Sequence, residues 1–123
     1  MNDLSDMLNS LGCIMRGDNS PDYTYSPMDP VRVEVLKEIS SSFKKGERLG
    51  GLYYYVEFPN GYGIDITKHN GTYGRESDLW EIAVMKDGDC CYDTPITDDV
   101  IGWLTDSEAL HYAIEVMKLP SAK

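Results

Sequence analysis

The sequence predicts an α+β domain: a four-stranded antiparallel meander flanked by two N-terminal helices and a C-terminal helix. Three observations predict it. Apolar residues recur every three or four positions up to about residue 45, every second position between about residues 51 and 94, and at helical spacing again near the C-terminus. The strands are grouped rather than alternated with helices, which favours an antiparallel sheet over a parallel one. A length of 123 residues suits one domain, 1–123, with a single core.

The first helix is predicted over about residues 2–15, where Leu4, Met7, Leu8, Leu11 and Met15 share a stripe and Gly17 ends it. "RGDNSPDYTYSPMDP" is a loop by composition. Asp29 then reads as an N-cap and Pro30 as a first-turn residue. Val31, Val35, Ile39 and Phe43 recur every four residues, which predicts a helix to about Lys45, stopped by "KKGERLGG".

From Leu52 the period becomes two. Leu52, Tyr54, Val56 and Phe58 take one face; Tyr53, Tyr55 and Glu57 take the other. "PNG" turns the chain into "YGIDIT", with Ile64 and Ile66 inward and Asp65 outward. After a polar loop, "LWEIAVM" places Trp80, Ile82 and Val84 inward, "KDGD" signals a hairpin, and "CCYDT" is a short fourth strand. "TDDVIGWL" reads as a short helical piece with Thr97 as N-cap and Asp98 and Asp99 in its first turn. "TDSEALHYAIEVMK" follows as a helix with a Thr105–Glu108 capping box.

The charge is uneven. The chain carries a net −10. Residues 1–75 hold ten acids against eight bases, whereas residues 76–123 hold eleven acids against three. Phosphate binding needs the opposite sign, so no direct contact with nucleic acid or an anionic membrane is expected. The natural complement is a basic protein surface. No apolar run approaches the roughly 20 residues needed to span a bilayer. The first residues lack the basic start of a signal peptide, and three cysteines without metal spacing fit a reducing compartment.

Helix capping accounts for Asp98, Asp99, Asp106 and Glu108. It leaves Glu76, Asp78, Glu81, Asp87, Asp89, Asp93 and Glu115 without a local reason; of these, Glu76, Asp78, Glu81, Asp87, Asp89 and Asp93 are the candidate interaction residues, with Tyr53 and Tyr55 on the polar side of their strand as candidate anchors. Alternatively, the N-terminal helices cover that side, which makes both tyrosines core, and the acids serve solubility. No catalytic residue is assigned, and no metal or cofactor is expected. His69 and His111 have no ligand at zinc spacing. "DGDCCYDTPITD" lacks the ligand pattern of a calcium loop, and no glycine turn ends in the Lys-Ser/Thr of a phosphate loop.

The pieces "NGYG", "GTYGRESDLWEIAV" and "YDTPITDDVIGWL" resemble a group of short tailed-bacteriophage proteins over roughly residues 60–104. The resemblance implies a phage origin, action in the host cell cytoplasm, and the anti-defence or anti-CRISPR class of accessory protein. The expected function is therefore a non-enzymatic acidic protein that inhibits a host nuclease or CRISPR effector by occupying its basic surface. Two other expectations compete with it: a self-associating structural phage protein (a homo-oligomer), and a small-molecule binding or sequestering protein.

Overall fold

The computed structural model describes residues 25–97 and 99–121. The helix expected over residues 2–15 lies outside them. Among the described residues the order is α1 (Pro30–Ile39), β1 (Ser42–Arg48), β2 (Gly51–Glu57), β3 (Tyr62–Lys68), a 3₁₀ turn (Arg75–Ser77), β4 (Trp80–Lys86), β5 (Asp89–Cys90), β6 (Ile101–Leu104) and α2 (Asp106–Met117). The domain is α+β, with an antiparallel sheet. The expected four-strand meander is too short by a strand at each end.

The first correction concerns the helix expected to reach Lys45. Asp29 does cap α1, accepting the Val31 N–H, and Pro30 opens it. The helix ends at Ile39, where Ser40 bends the chain and donates its hydroxyl to the Lys37 carbonyl. Phe43 belongs to β1, which pairs with β2 through Phe43 and Val56. The buried face of α1 is Val33 and Leu36, whereas Val31 is 71% exposed. The second correction is "TDDVIGWL". Thr97 closes a tight turn instead of capping a helix: its hydroxyl accepts the Asp99 N–H and donates to the Asp99 carbonyl. Residues Ile101–Leu104 then pair with β4 as β6.

Strands β1 to β4 are consecutive antiparallel neighbours. The far edge of β4 is shared, with β5 opposite Met85 and Lys86 and β6 opposite Trp80 and Ile82. Gly51 is required where β2 meets the end of β3, because a Cβ there would lie 1.8 Å from the Lys68 carbonyl oxygen. The β4–β5 connection is a two-residue Asp-Gly hairpin. Both central residues, Asp87 (φ 55°) and Gly88 (φ 82°), are left-handed, as a type I′ turn demands. Asp87, which the sequence left without a local role, therefore has one.

The inward face carries Tyr54, Val56, Ile64, Ile66, Trp80, Ile82 and Val84, all buried, and both described helices pack on it through Val33, Leu36, Ala109, Ala113 and Val116. Burying a side chain of this size contributes about 1.5–3 kcal/mol. The Tyr54 and Trp80 rings meet edge to face at 5.5 Å. Thr105 and Glu108 form the predicted capping box, and Asn60 of the "PNG" turn donates its amide to the carbonyls of Val116, Met117 and Leu119. One loop thus starts β3 and fastens the end of α2.

Two polar joints hold the loops to this core. Lys68 is 2% exposed, with Nζ 3.0 Å from the Ser26 carbonyl, 3.0 Å from Asp78 Oδ1 and 4.1 Å from the centre of the Trp80 ring. Asp106 accepts the Trp80 indole N–H at 2.7 Å and the Asp29 backbone N–H at 2.9 Å.

Candidate functional site

Alternation along the strands sends a second set of residues to the other face of the sheet. From β1 to β4 these are Lys44, Gly46 and Arg48; Tyr53, Tyr55 and Glu57; Gly63, Asp65 and Thr67; and Glu81, Ala83 and Met85. Register pairs Tyr53 with Thr67, Tyr55 with Asp65 and Asp65 with Ala83. Neither described helix lies here: α1, the described one of the two N-terminal helices expected as a possible cover, packs on the opposite face. Tyr53 and Tyr55 are half-buried among their neighbours rather than core.

Arg48 organises one end. Its guanidinium lies 4.4 Å from the centre of the Tyr53 ring and 2.8 Å from Asp65 Oδ2. Gly46 makes room for the same ring, since a Cβ there would meet Tyr53 Cε1 at 2.9 Å. The other Asp65 oxygen, Oδ1, is buried with no hydrogen-bond partner among the described residues, so half of this carboxylate is uncompensated beneath the face. Burial first, then the charges of Glu57, Asp65, Asp89 and Cys90, push the Tyr55 hydroxyl above the ordinary phenol range. That hydroxyl stays protonated, a donor at neutral pH. Burial and the neighbouring Arg48 lower the His69 imidazole, against a smaller opposing pull from Glu81 and Asp65. Its Nδ1 accepts the Gly71 N–H at 3.0 Å, as a neutral ring does.

The acids singled out from sequence fall at two ends of β4. Glu76, Asp78 and Glu81 gather at its start, and Asp87, Asp89 and Asp93 at its end. Glu76 is exposed on the 3₁₀ turn. Asp78 is engaged by Lys68 and by the Ser26 N–H at 2.9 Å. Burial pushes its carboxyl up, but the Ser26 hydrogen bonds and Lys68 outweigh this and hold it below its ordinary value. Glu81 lies on this second face, which neither described helix covers, and accepts the Tyr73 N–H at 3.0 Å. Asp87 is committed to the hairpin turn, while Asp89 is exposed and close enough to act on Tyr55. Asp93 is exposed and accepts the Cys91 thiol at 3.0 Å; that hydrogen bond, with burial, pushes the thiol up.

Sequence reasoning missed three contributors. Glu57 and Asp65 were visible as outward residues of their strands, and their alternation with the tyrosines was the available signal. Trp103 was hidden by the helical reading of "TDDVIGWL". It is 51% exposed beside Tyr73, which is 61% exposed, and the Trp103 N–H points at the Tyr73 carbonyl.

Chemically, this is a surface of carboxylates set among aromatic rings. Among the described residues no group of three or more His, Cys, Asp or Glu side chains is arranged to hold a metal ion, and no helix is long and apolar enough to cross a membrane. His111 stands against Tyr112 on α2, and Cys90 lies on β5 opposite Met85. No family model, curated protein or solved structure matches the chain.

Proposed function

We propose that this is a non-enzymatic binding protein whose open sheet face occupies a basic, nucleic-acid-binding surface of a host protein. The setting suggested by the phage-like segments is a defence machine, a nuclease or a CRISPR effector. The observation that carries the reading is the composition of one face: Glu57, Asp65 and Glu81 stand among Tyr53 and Tyr55, and Asp89, opposite Lys86 on the adjoining β5, adds its charge to Tyr55. From β1 to β4 the bases on that face are Lys44 and Arg48, and Arg48 is already held by Asp65 and Tyr53. Carboxylates spaced along a sheet can meet lysines and arginines that otherwise hold phosphates, and tyrosines supply contact area at low entropy cost. Sheet extension by a second copy is opposed at β1, the edge strand among the described residues, which carries Lys44, Lys45 and Glu47.

Charge reversal tests the reading. Glu57 on the face, with Asp89 and Asp93 on and just past β5 at its border, are the suitable positions, because they are exposed and have no turn or buried-lysine role. Their replacement together by Lys is expected to weaken partner binding at least tenfold and to leave the melting temperature within a few degrees of wild type. Wild-type binding should also weaken as salt rises to physiological strength, where the Debye length is about 8 Å. A folded triple variant that binds with wild-type affinity and no salt response would refute the proposal.

A further inference from the structure

Trp103 breaks two local rules at once. Its backbone is left-handed, φ 62°, a region that is strained for a bulky residue and favours glycine. Its large ring is half in water. The neighbourhood is built to keep it there. Gly102 is needed because a Cβ would lie 2.4 Å from Tyr73 Cβ, and Gly74, at φ 100°, because a Cβ would lie 3.0 Å from the Trp103 nitrogen. Neither core packing nor backbone preference explains an indole here, and residues that break local rules without local compensation mark functional sites.

What surrounds it is aromatic and acidic. Tyr73 is joined to Trp103 through the backbone and to Glu81 through its own N–H. Arg75, two residues from Tyr73, turns back to the Thr72 carbonyl.

We infer that Trp103, with Tyr73 beside it, seats an arginine side chain of the partner protein, with Glu81 supplying the opposite charge. The guanidinium stacks on the indole face, the best aromatic surface for a cation, and its plane suits this better than a strongly hydrated ammonium. The inference rests on the acidic face being the docking surface, and it adds which residue anchors and which partner side chain is chosen.

The test uses two peptides of equal charge, nona-arginine and nona-lysine, titrated by calorimetry against the full chain. Wild type is expected to bind the arginine peptide about tenfold more tightly than the lysine peptide. Trp103→Gly, which suits the left-handed backbone and should melt no lower than wild type, is expected to bring the arginine peptide to the lysine level. It should leave the lysine peptide within about twofold, and Trp103→Phe should recover part of the preference. Trp103→Asn, also tolerant of this conformation, replaces the glycine variant if that one fails to fold. Equal affinity for both peptides, unchanged in Trp103→Gly but weakened by the Glu57, Asp89 and Asp93 reversal, would overturn the anchor and leave the acidic face standing. Binding of neither peptide would overturn both.

Discussion

Asp78→Ala is expected to lower the unfolding free energy by about 2–4 kcal/mol, read as a fall in the urea midpoint at unchanged slope. The cause is Lys68. Its ammonium is buried, and Asp78 is the carboxylate that offsets it, at 3.0 Å. Removing one partner of a buried pair leaves a charge without compensation, which costs more than the pair itself contributes. The loss falls short of the largest known because the Asp78 side chain is 36% exposed and the Ser26 carbonyl and Trp80 ring still face the ammonium. Lys68→Met keeps the stem over Trp80 without the charge and should be milder. The double variant should recover much of what Asp78→Ala loses; strictly additive losses would show that the two groups do not interact.

The same carboxylate makes stability pH-dependent. Its folded pKa lies below the unfolded value, so its contribution is complete above about pH 4. The contribution is lost as pH falls through the folded value. The gap between wild type and Asp78→Ala should therefore be widest near neutrality and close in acid.

The second large effect is at Asp106. Asp106→Ala removes the acceptor of the buried Trp80 indole N–H and of the Asp29 N–H at the start of α1. Each donor left unpaired costs about 1–3 kcal/mol, so a total loss of roughly 2–6 kcal/mol is expected. Asp106→Asn, with one oxygen in place of two, can serve either donor but not both and should lose about half as much. A chemical denaturation series over the three proteins checks this order. Equal stability of Asp106→Asn and Asp106→Ala would mean that the two bonds contribute nothing beyond the helix-terminal charge.

These joints explain what was and was not legible in the sequence. Strands β2, β3 and β4 were legible because one side of each packs on helices, and Leu52, Tyr54, Val56, Ile64, Ile66, Trp80, Ile82 and Val84 alternate accordingly. The same alternation put Tyr53, Tyr55 and Glu81 on the open face. The capping box at Thr105 was legible because it is local. The two missed strands lie where local signals mislead. Val31, Val35, Ile39 and Phe43 keep a four-residue spacing across a helix end that the serines at 40–42 mark more truly. Thr97 with two following acids looks like a helix start, yet Val100 and Ile101 are β-branched, Gly102 is a poor helix residue, and the pairing of β6 with β4 is long-range. The roles of Asp78 and Asp106 depend on contacts 10 and 26 residues away, which spacing along the chain does not reveal. Trp103 was lost from the site with its strand.

The measurement that bears most directly on the central claim is displacement by nucleic acid. With the wild-type chain immobilised, a partner retained from nuclease-treated host lysate is challenged with double-stranded DNA and with RNA. If the open face occupies a phosphate-binding surface, added nucleic acid releases the partner, and the Glu57, Asp89 and Asp93 reversal fails to retain it at all. A partner that holds nucleic acid and this protein together, or that the reversed variant retains as well as wild type does, would contradict the account.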